Sequence, residues 1–135
     1  MSRVLVDTNT LVSAVIFRNG LTAEALILLR KRGQVCLTKV IINEAEDVIG
    51  RKWPDRIPDL WRFLGTTNYE LLPEATSDVV IRDINDQDIL NAAIAADVDI
   101  ILTGDLDFHD LKIERPKSMT PRQYLDEFMP SDQPK

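Results

Sequence analysis

The chain has 135 residues, of which 44% are hydrophobic and 28% charged, with a formal net charge of −6. That length suits one domain with a real core, and the acidic balance excludes a protein that grips nucleic acid by bulk basicity, though not a nucleic-acid enzyme whose acidic site is neutralised by bound cations. The apolar runs are far too short to span a bilayer, and a single cysteine, Cys36, excludes an internal disulfide and fits a reducing cytoplasm.

In chain order, "MSRVLVDTN" carries no apolar leader stretch and is expected to enter a strand at once. "RVLVDT" has apolar residues on consecutive positions, the mark of a strand buried on both faces in a parallel sheet. "LVSAVIF" reads as a helix. Leu21 to Arg32 reads as a second helix, with Leu21, Ala25, Leu28 and Leu29 on one stripe and Gly33 as its stop. "QVCLT" is a second strand, in which Cys36 is expected to be a small buried hydrophobe rather than a nucleophile. "KVIINEAEDVIGR" is a helix with Val40, Ile41, Val48 and Ile49 toward the core. "PDLWRFLG" continues as a helix closed by Gly65, and Trp53, Trp61 and Phe63 are expected to be packing residues. "YELLP" is a short third strand. "DINDQDILNAAIAAD" is a helix starting near Asp86, and "DIILTGD" a fourth strand. "RPKSM" reads as a weak edge strand, since Pro116 suits an edge. "TPRQYLDEFM" is a last helix, capped by Thr120 with Pro121 at its first position. The alternation predicts an α/β fold with a mostly parallel central sheet. The first two strands are joined by about two helices. Residues 1–129 are expected to form one domain, and "PSDQPK", residues 130–135, a flexible tail.

Ligand sites in open parallel sheets form beyond the carboxyl ends of the strands, and carboxylates are delivered there by four segments. Asp7 ends the first strand; it serves equally as a site residue or as the N-cap of the next helix. Glu44 lies early in the helix after strand two, three residues after Ile41 and four before Val48, so it is expected on a semi-buried face. Glu46 and Asp47 compete with it, and a solvated helix face is the plain alternative. Asp86 points along the packed stripe of Ile89, Leu90 and Ala93, whereas Asp88 is about 200° round the helix. A simple N-cap is its alternative, with Asp78, Asp83 and Asp88 nearby. Asp105 follows strand four across Gly104, with Asp107 two residues on and Thr103 able to orient a carboxylate or a water. The only histidine, His109, is expected to be a surface or packing residue, because no second His or Cys completes a zinc set. Clustered carboxylates repel unless cations bind, and oxygen-only ligands favour Mg²⁺ or Mn²⁺. The matching chemistry is metal-assisted phosphodiester hydrolysis.

"VLVDTNTLVSAV", "TKVIINEAEDVI", "NDQDILNAAIAA" and "DIILTGDLDF" resemble, in order and spacing, the motifs of the PIN-domain family. "MTPRQYLDEF" resembles the ending of its subgroup of VapC-like toxin components of toxin–antitoxin pairs. The resemblance spans essentially the whole chain. It implies a three-layer α/β/α sandwich and a Mg²⁺- or Mn²⁺-dependent ribonuclease, with RNA as substrate, an antitoxin protein as partner and a homodimer as the assembly. Carried over position by position, it assigns Asp7, Glu44, Asp86 and Asp105 as the acidic quartet and Asp107 as an auxiliary metal ligand. Asn9, Ser13 and Thr103 take supporting roles. Thr38 stands where the family usually has serine, and Asn43 where many members carry a second acid. Arg18, Lys39 and Arg82 are, by loop position, candidates to contact an RNA backbone, with a solvated surface role as the plainer expectation for each. The alternative is a catalytically silent PIN-like module that binds RNA or a protein. A phosphoryl-transfer enzyme or receiver domain ranks last. Asn9 stands where a haloacid-dehalogenase-type phosphatase needs a second acid, and the third strand ends in "LLPEA" rather than in a phosphoacceptor aspartate.

Overall fold

The computed structural model describes residues 1–130, so nearly all of the expected 130–135 tail lies outside the described residues. Five strands, β1 (Arg3–Val6), β2 (Gln34–Thr38), β3 (Tyr69–Leu72), β4 (Ile100–Leu102) and β5 (Lys117–Met119), form one sheet in the order β3-β2-β1-β4-β5. Every pairing is parallel. The sheet is therefore wholly parallel, and β5 takes the edge position expected of a proline-flanked strand.

Seven α-helices connect and cover it: α1 (Thr8–Ile16), α2 (Leu21–Arg32), α3 (Lys39–Lys52), α4 (Ile57–Thr66), α5 (Gln87–Ala95), α6 (Leu106–His109) and α7 (Pro121–Phe128). Helices α1 to α4 pack on one another, and α7 joins their layer by packing on α2. The chain runs outward from β1 through β2 to β3, then crosses back to β4 on the other side of β1. With right-handed crossovers this reversal puts α5 on the opposite face, completing an α/β/α sandwich. Val4, Leu5, Val6, Cys36, Leu37, Ile101 and Leu102 form the middle of the core, all essentially inaccessible. Cys36 is a buried free thiol, as expected. Among the described residues, no single helix is long and apolar enough to cross a membrane.

Local chemistry moves several boundaries from their sequence expectation. Helix α1 starts at Thr8, three residues earlier than the apolar pattern shows, because the Asp7 side chain caps it. Helix α4 runs through Gly65 to Thr66 rather than ending at the glycine. The regular helix α5 begins at Gln87, preceded by a 3-10 turn at Ile84–Asp86. Helix α6 is a single turn too short to leave a periodic signal. Trp61 is not a packing residue: it is 58% exposed, since only Leu60 of α4 is fully buried. Trp53 does pack, edge-to-face on Phe17, and Phe63 lies beneath the Arg30 guanidinium.

The long segment between β3 and α5 brings an acidic stretch to the carboxyl edge, and two polar residues of α5 pin it. Gln87 donates to the carbonyls of Val79 (2.8 Å) and of the Asn91 side chain (2.8 Å) and accepts from the Ile81 amide (3.1 Å). Asn91, one turn on and buried, accepts from the Ser77 hydroxyl at 2.7 Å. Replacing Gln87 with alanine removes three bonds at once. The Ile81 amide is then expected to exchange hydrogen at least several-fold faster, at about 1 kcal/mol per bond lost. Unaltered exchange at Ile81 would show that the segment is held by something else.

Candidate metal centre

The sheet order reverses at β1 and β4, and their carboxyl ends carry the first two pieces of the site. Val6 pairs with Leu102, and the Asp7 amide still donates to the Leu102 carbonyl at 3.3 Å. Asp7 and Thr103 therefore leave the sheet side by side. Asp7 is only 5% exposed. Its Oδ1 accepts from the Thr10 amide at 2.8 Å, which is the cap of α1, and its Oδ2 accepts from the Thr103 hydroxyl. Burial raises the Asp7 pKa above the ordinary carboxylate range, against the pull of these hydrogen bonds.

Thr103 is fully buried and is the junction of the edge. Besides donating to Asp7, its hydroxyl accepts the Asp105 amide at 3.0 Å. Its own amide donates to the Met119 carbonyl at 2.9 Å. Its carbonyl lies 2.9 Å from Nε2 of His109, which must be the protonated nitrogen, since a carbonyl only accepts. His109 thus braces the turn, half-buried, and is not placed as a base. Asp105 then caps α6, accepting from the Asp107 amide at 2.9 Å.

Across from Asp105 comes the 3-10 turn. Asp83 caps it, accepting from the Asn85 amide at 3.0 Å. One carboxylate oxygen from each of Asp83, Asp86, Asp105 and Asp107 lies within 4.8 Å of the others. Oδ2 of Asp86 is buried without a hydrogen-bond partner. Asp86 lies against Asp105, which accepts a hydrogen bond only from a protonated Asp86. Burial first, then Asp105, pushes the Asp86 carboxyl up to about 7.

Three of the expected acids, Asp86, Asp105 and Asp107, therefore converge. Asp83, weighed in the sequence only as one of several competing aspartates, joins them. Its signal was present in the three-residue spacing to Asp86, which folds both onto one tight turn. Asp7 stands behind the group, tied to it through Thr103 and close enough that its charge further raises the Asp86 pKa. Glu44 is at the same edge but outside the group: the Thr8 hydroxyl donates to its Oε2 at 3.2 Å. It is exposed rather than semi-buried. The buried stripe of α3 is Ile41, Ala45 and Ile49, and the 3.6-residue period puts Glu44 about 100° from the centre of that stripe. Asn9 is exposed in the first turn of α1 and Ser13 half-buried a turn later. Asp88 faces away, into a separate cleft of about 340 Å³ shared with Thr38 and Glu74.

The donor set fits a hard divalent cation: it is all oxygen, mutually repulsive, and includes an orphaned buried carboxylate atom. No lysine or arginine forms a salt bridge with any of these acids among the described residues, whereas Asp97, Asp99 and Glu70 near the amino ends of the strands are paired with Arg115 and Arg3.

A family model described as the PIN domain matches residues 3–107. The chain belongs to the PIN-domain family. Among curated proteins, none matches it significantly. One chain of the crystal structure of VapBC2 from Rickettsia felis, bound to a DNA fragment from its promoter, shares the fold. The TM-score is 0.65 at 16% identity, over 87% of this chain and 98% of that one. The PIN-domain match ends at Asp107, so it contains every acid of the converging group and leaves out β5 and α7.

The raised Asp86 pKa fixes a pH dependence. In the folded protein Asp86 keeps its proton up to about 7, whereas the unfolded chain releases it near the ordinary aspartate value. Its contribution to stability is complete below the unfolded value and is lost as pH rises through the folded one. Without divalent cations, the melting temperature should fall between pH 5 and pH 8; Asp7, whose pKa burial also raises, acts in the same direction, so Asp86→Asn should lessen the fall without having to abolish it. Asp59, Glu70 and Asp99, held low by arginine or backbone partners, do not titrate in this window. Thermal scans in a chelator at several pH values check it; a melting temperature that rises toward pH 8 contradicts it.

Proposed function

We propose that this PIN-domain protein is a Mg²⁺- or Mn²⁺-dependent endoribonuclease, and that it is the toxin of a toxin–antitoxin pair. The observation that carries the nuclease reading is the convergence of Asp83, Asp86, Asp105 and Asp107 around one point, with no basic side chain among the described residues salt-bridged to them. The toxin reading draws on the fold shared with a chain of the VapBC2 complex and on the closing "TPRQYLDEF" segment. A groove lined by Val15, Leu26, Ile27 and Phe63 and edged by Arg18, Arg30 and Arg62 offers an acidic amphipathic partner segment a place to lie. A homodimer and a cytoplasmic location belong to the same proposal.

Asp86 and Asp105 are the primary ligands in this reading, supplemented by Asp83 and Asp107. Asp7 and Glu44 extend the acidic surface toward α1 and α3. A hard cation held there neutralises carboxylate repulsion, polarises a phosphoryl oxygen and acidifies water. The chain's own residues do the positioning. Thr103 fixes Asp7 through Oδ2 and the Asp105 backbone through its hydroxyl, so two acids on different strands move as one unit. The turn caps fix Asp83 and Asp105 through single oxygens, leaving the other oxygen of each carboxylate available. Asn9 and Ser13 line the approach on α1. Asp86, protonated until about pH 7, must release its proton as a cation binds.

Incubation with labelled RNA and Mn²⁺ or Mg²⁺, beside single variants, tests the proposal. Asp86→Asn and Asp105→Asn should each lower cleavage by roughly 10²–10³-fold, the several kcal/mol that a bound metal supplies. Thr103→Val should lower it roughly 10–100-fold, as loss of a group that orients ligands does, while the metal-ligand side chains stay intact. Glu44→Gln should have the smallest effect of the quartet. RNA and metal binding without cleavage would instead establish a silent binding module. Equal cleavage by wild type and Asp105→Asn would place the activity elsewhere or in a contaminant.

A further inference from the structure

Large apolar side chains in solvent are ordinary when scattered, and informative when they flank one charged site. Apart from Met1, the most exposed in the described residues are Ile84 at 83%, Val80 at 79% and Leu106 at 71%; the others are 47% to 58% exposed. Ile84 follows Asp83 at the start of the 3-10 turn, and Leu106 stands between Asp105 and Asp107 at the start of α6. Since the carboxylates of Asp83, Asp86, Asp105 and Asp107 converge within 4.8 Å, the two segments that carry Ile84 and Leu106 face one another across that point. Neither side chain supports the fold: the buried member of α6 is Phe108, and the 3-10 turn buries none of its three residues. Each of the two turns that supply the acids thus carries one exposed aliphatic group, neither turn contains a lysine or arginine, and the aromatic Phe108 of α6 is buried.

We propose that Ile84 and Leu106 form an apolar rim that grips an unpaired nucleobase next to the phosphate held at the metal centre. This rests on the nuclease reading and assigns two substrate contacts to it. A phosphodiester presents a charged group and, one sugar away, an apolar base face. The acids take the phosphate through the cation, and the aliphatic rim takes the base face. In a duplex that face is covered by stacking; in a single strand it is free. The rim therefore selects an unpaired nucleotide without regard to base identity, because aliphatic contact reads no hydrogen-bond pattern.

The test uses the full-length protein with Ile84→Ser, Leu106→Ser and the double variant. Fluorescence anisotropy is measured on a labelled RNA oligonucleotide, single-stranded and annealed to its complement, with Ca²⁺ as the divalent ion. The wild type should prefer the single strand, and the double variant should lose roughly five- to tenfold on the single strand only, from the apolar area no longer covered. In cleavage assays KM should rise while kcat holds, which separates a substrate contact from damage to the catalytic centre. Mn²⁺ affinity and melting temperature should stay unchanged, since both side chains are already in solvent. Equal binding by wild type and double variant, equal losses on both RNA forms, or no measurable preference of the wild type for the single strand overturns the proposal. So does a changed association state with unchanged RNA affinity, which would make the rim a protein contact. Cleavage that survives intact in the double variant refutes the rim and leaves the nuclease standing; absence of metal-dependent cleavage in the wild type refutes the nuclease itself.

Discussion

Carboxylates within 4.8 Å of one another repel, and at the carboxyl edge of this sheet none of the described residues supplies them a salt-bridged cation. They stay together because each is anchored by backbone that has other reasons to be where it is. Asp7 and Asp105 come after the two adjacent strands at the reversal of the sheet, and Asp7, Asp83 and Asp105 cap the turns or helices they precede. Capping explains how an acid serves the fold and a site together. One oxygen accepts a backbone amide at the start of a helix or turn; in Asp83 and Asp105 the other remains for a ligand, while that of Asp7 accepts the Thr103 hydroxyl. Asp86 is the exception. It stands at the N-cap position of α5 but its side chain makes no cap bond, its Oδ2 has no partner, and its pKa rises to about 7.

The two ends of the sheet treat charge in opposite ways. At the amino ends of the strands, Arg3 forks across both oxygens of Glu70 at 3.1 and 2.6 Å and donates to the Ala96 carbonyl, while Arg115 reaches Asp97 and Asp99. Those acids are satisfied internally and their pairs brace the edge. At the carboxyl ends the acids have hydroxyls and amides for company instead. Hydroxyls and amides orient a carboxylate without neutralising it, so the demand for positive charge is left for a ligand to meet. Thr103 carries most of that orientation, since it alone bonds to Asp7, to the Asp105 backbone and, through its carbonyl, to His109.

Much of this architecture is legible in the sequence because it depends on local rules. The ends of α2, the strand limits of β2 and the cap of α7 come from glycine, apolar runs and a Thr-Pro pair. Asp86 and Asp105 are readable because a parallel sheet gathers the loops beyond its strands at one edge. The features that escape a sequence reading depend on distance in three dimensions. Gln87 and Asn91 look like polar surface on a helix, yet they hold the segment that carries Asp83. Glu44 lies off its expected face because the apolar stripe of α3 centres on Ala45, whose small side chain adds little to the periodic signal. Trp61 departs from the core role that an indole suggests, since α4 buries only Leu60 fully and leaves the ring outside. His109, which sits among three aspartates in the sequence, has its ring turned onto the Thr103 carbonyl as a brace.

The same charge sorting bears on how a chain with a net charge of −6 can handle a polyanion. A basic surface would attract RNA at long range and hold it by counterion release. Its net charge gives this protein little of that means, and the exposed Arg18, Arg30 and Arg62 lie along the apolar groove between α1, α2 and α4. In the proposed nuclease, attraction is then short-range and local: a cation would bridge phosphate to carboxylates, joined by contacts that carry no charge. The exposed Ile84 and Leu106 are groups of that second kind, placed on the two turns that supply the carboxylates. An acidic body around such a site also weakens binding of nucleic acid anywhere else on the surface. In that reading, a phosphate chain that binds is directed to the edge where a divalent ion would offset the repulsion.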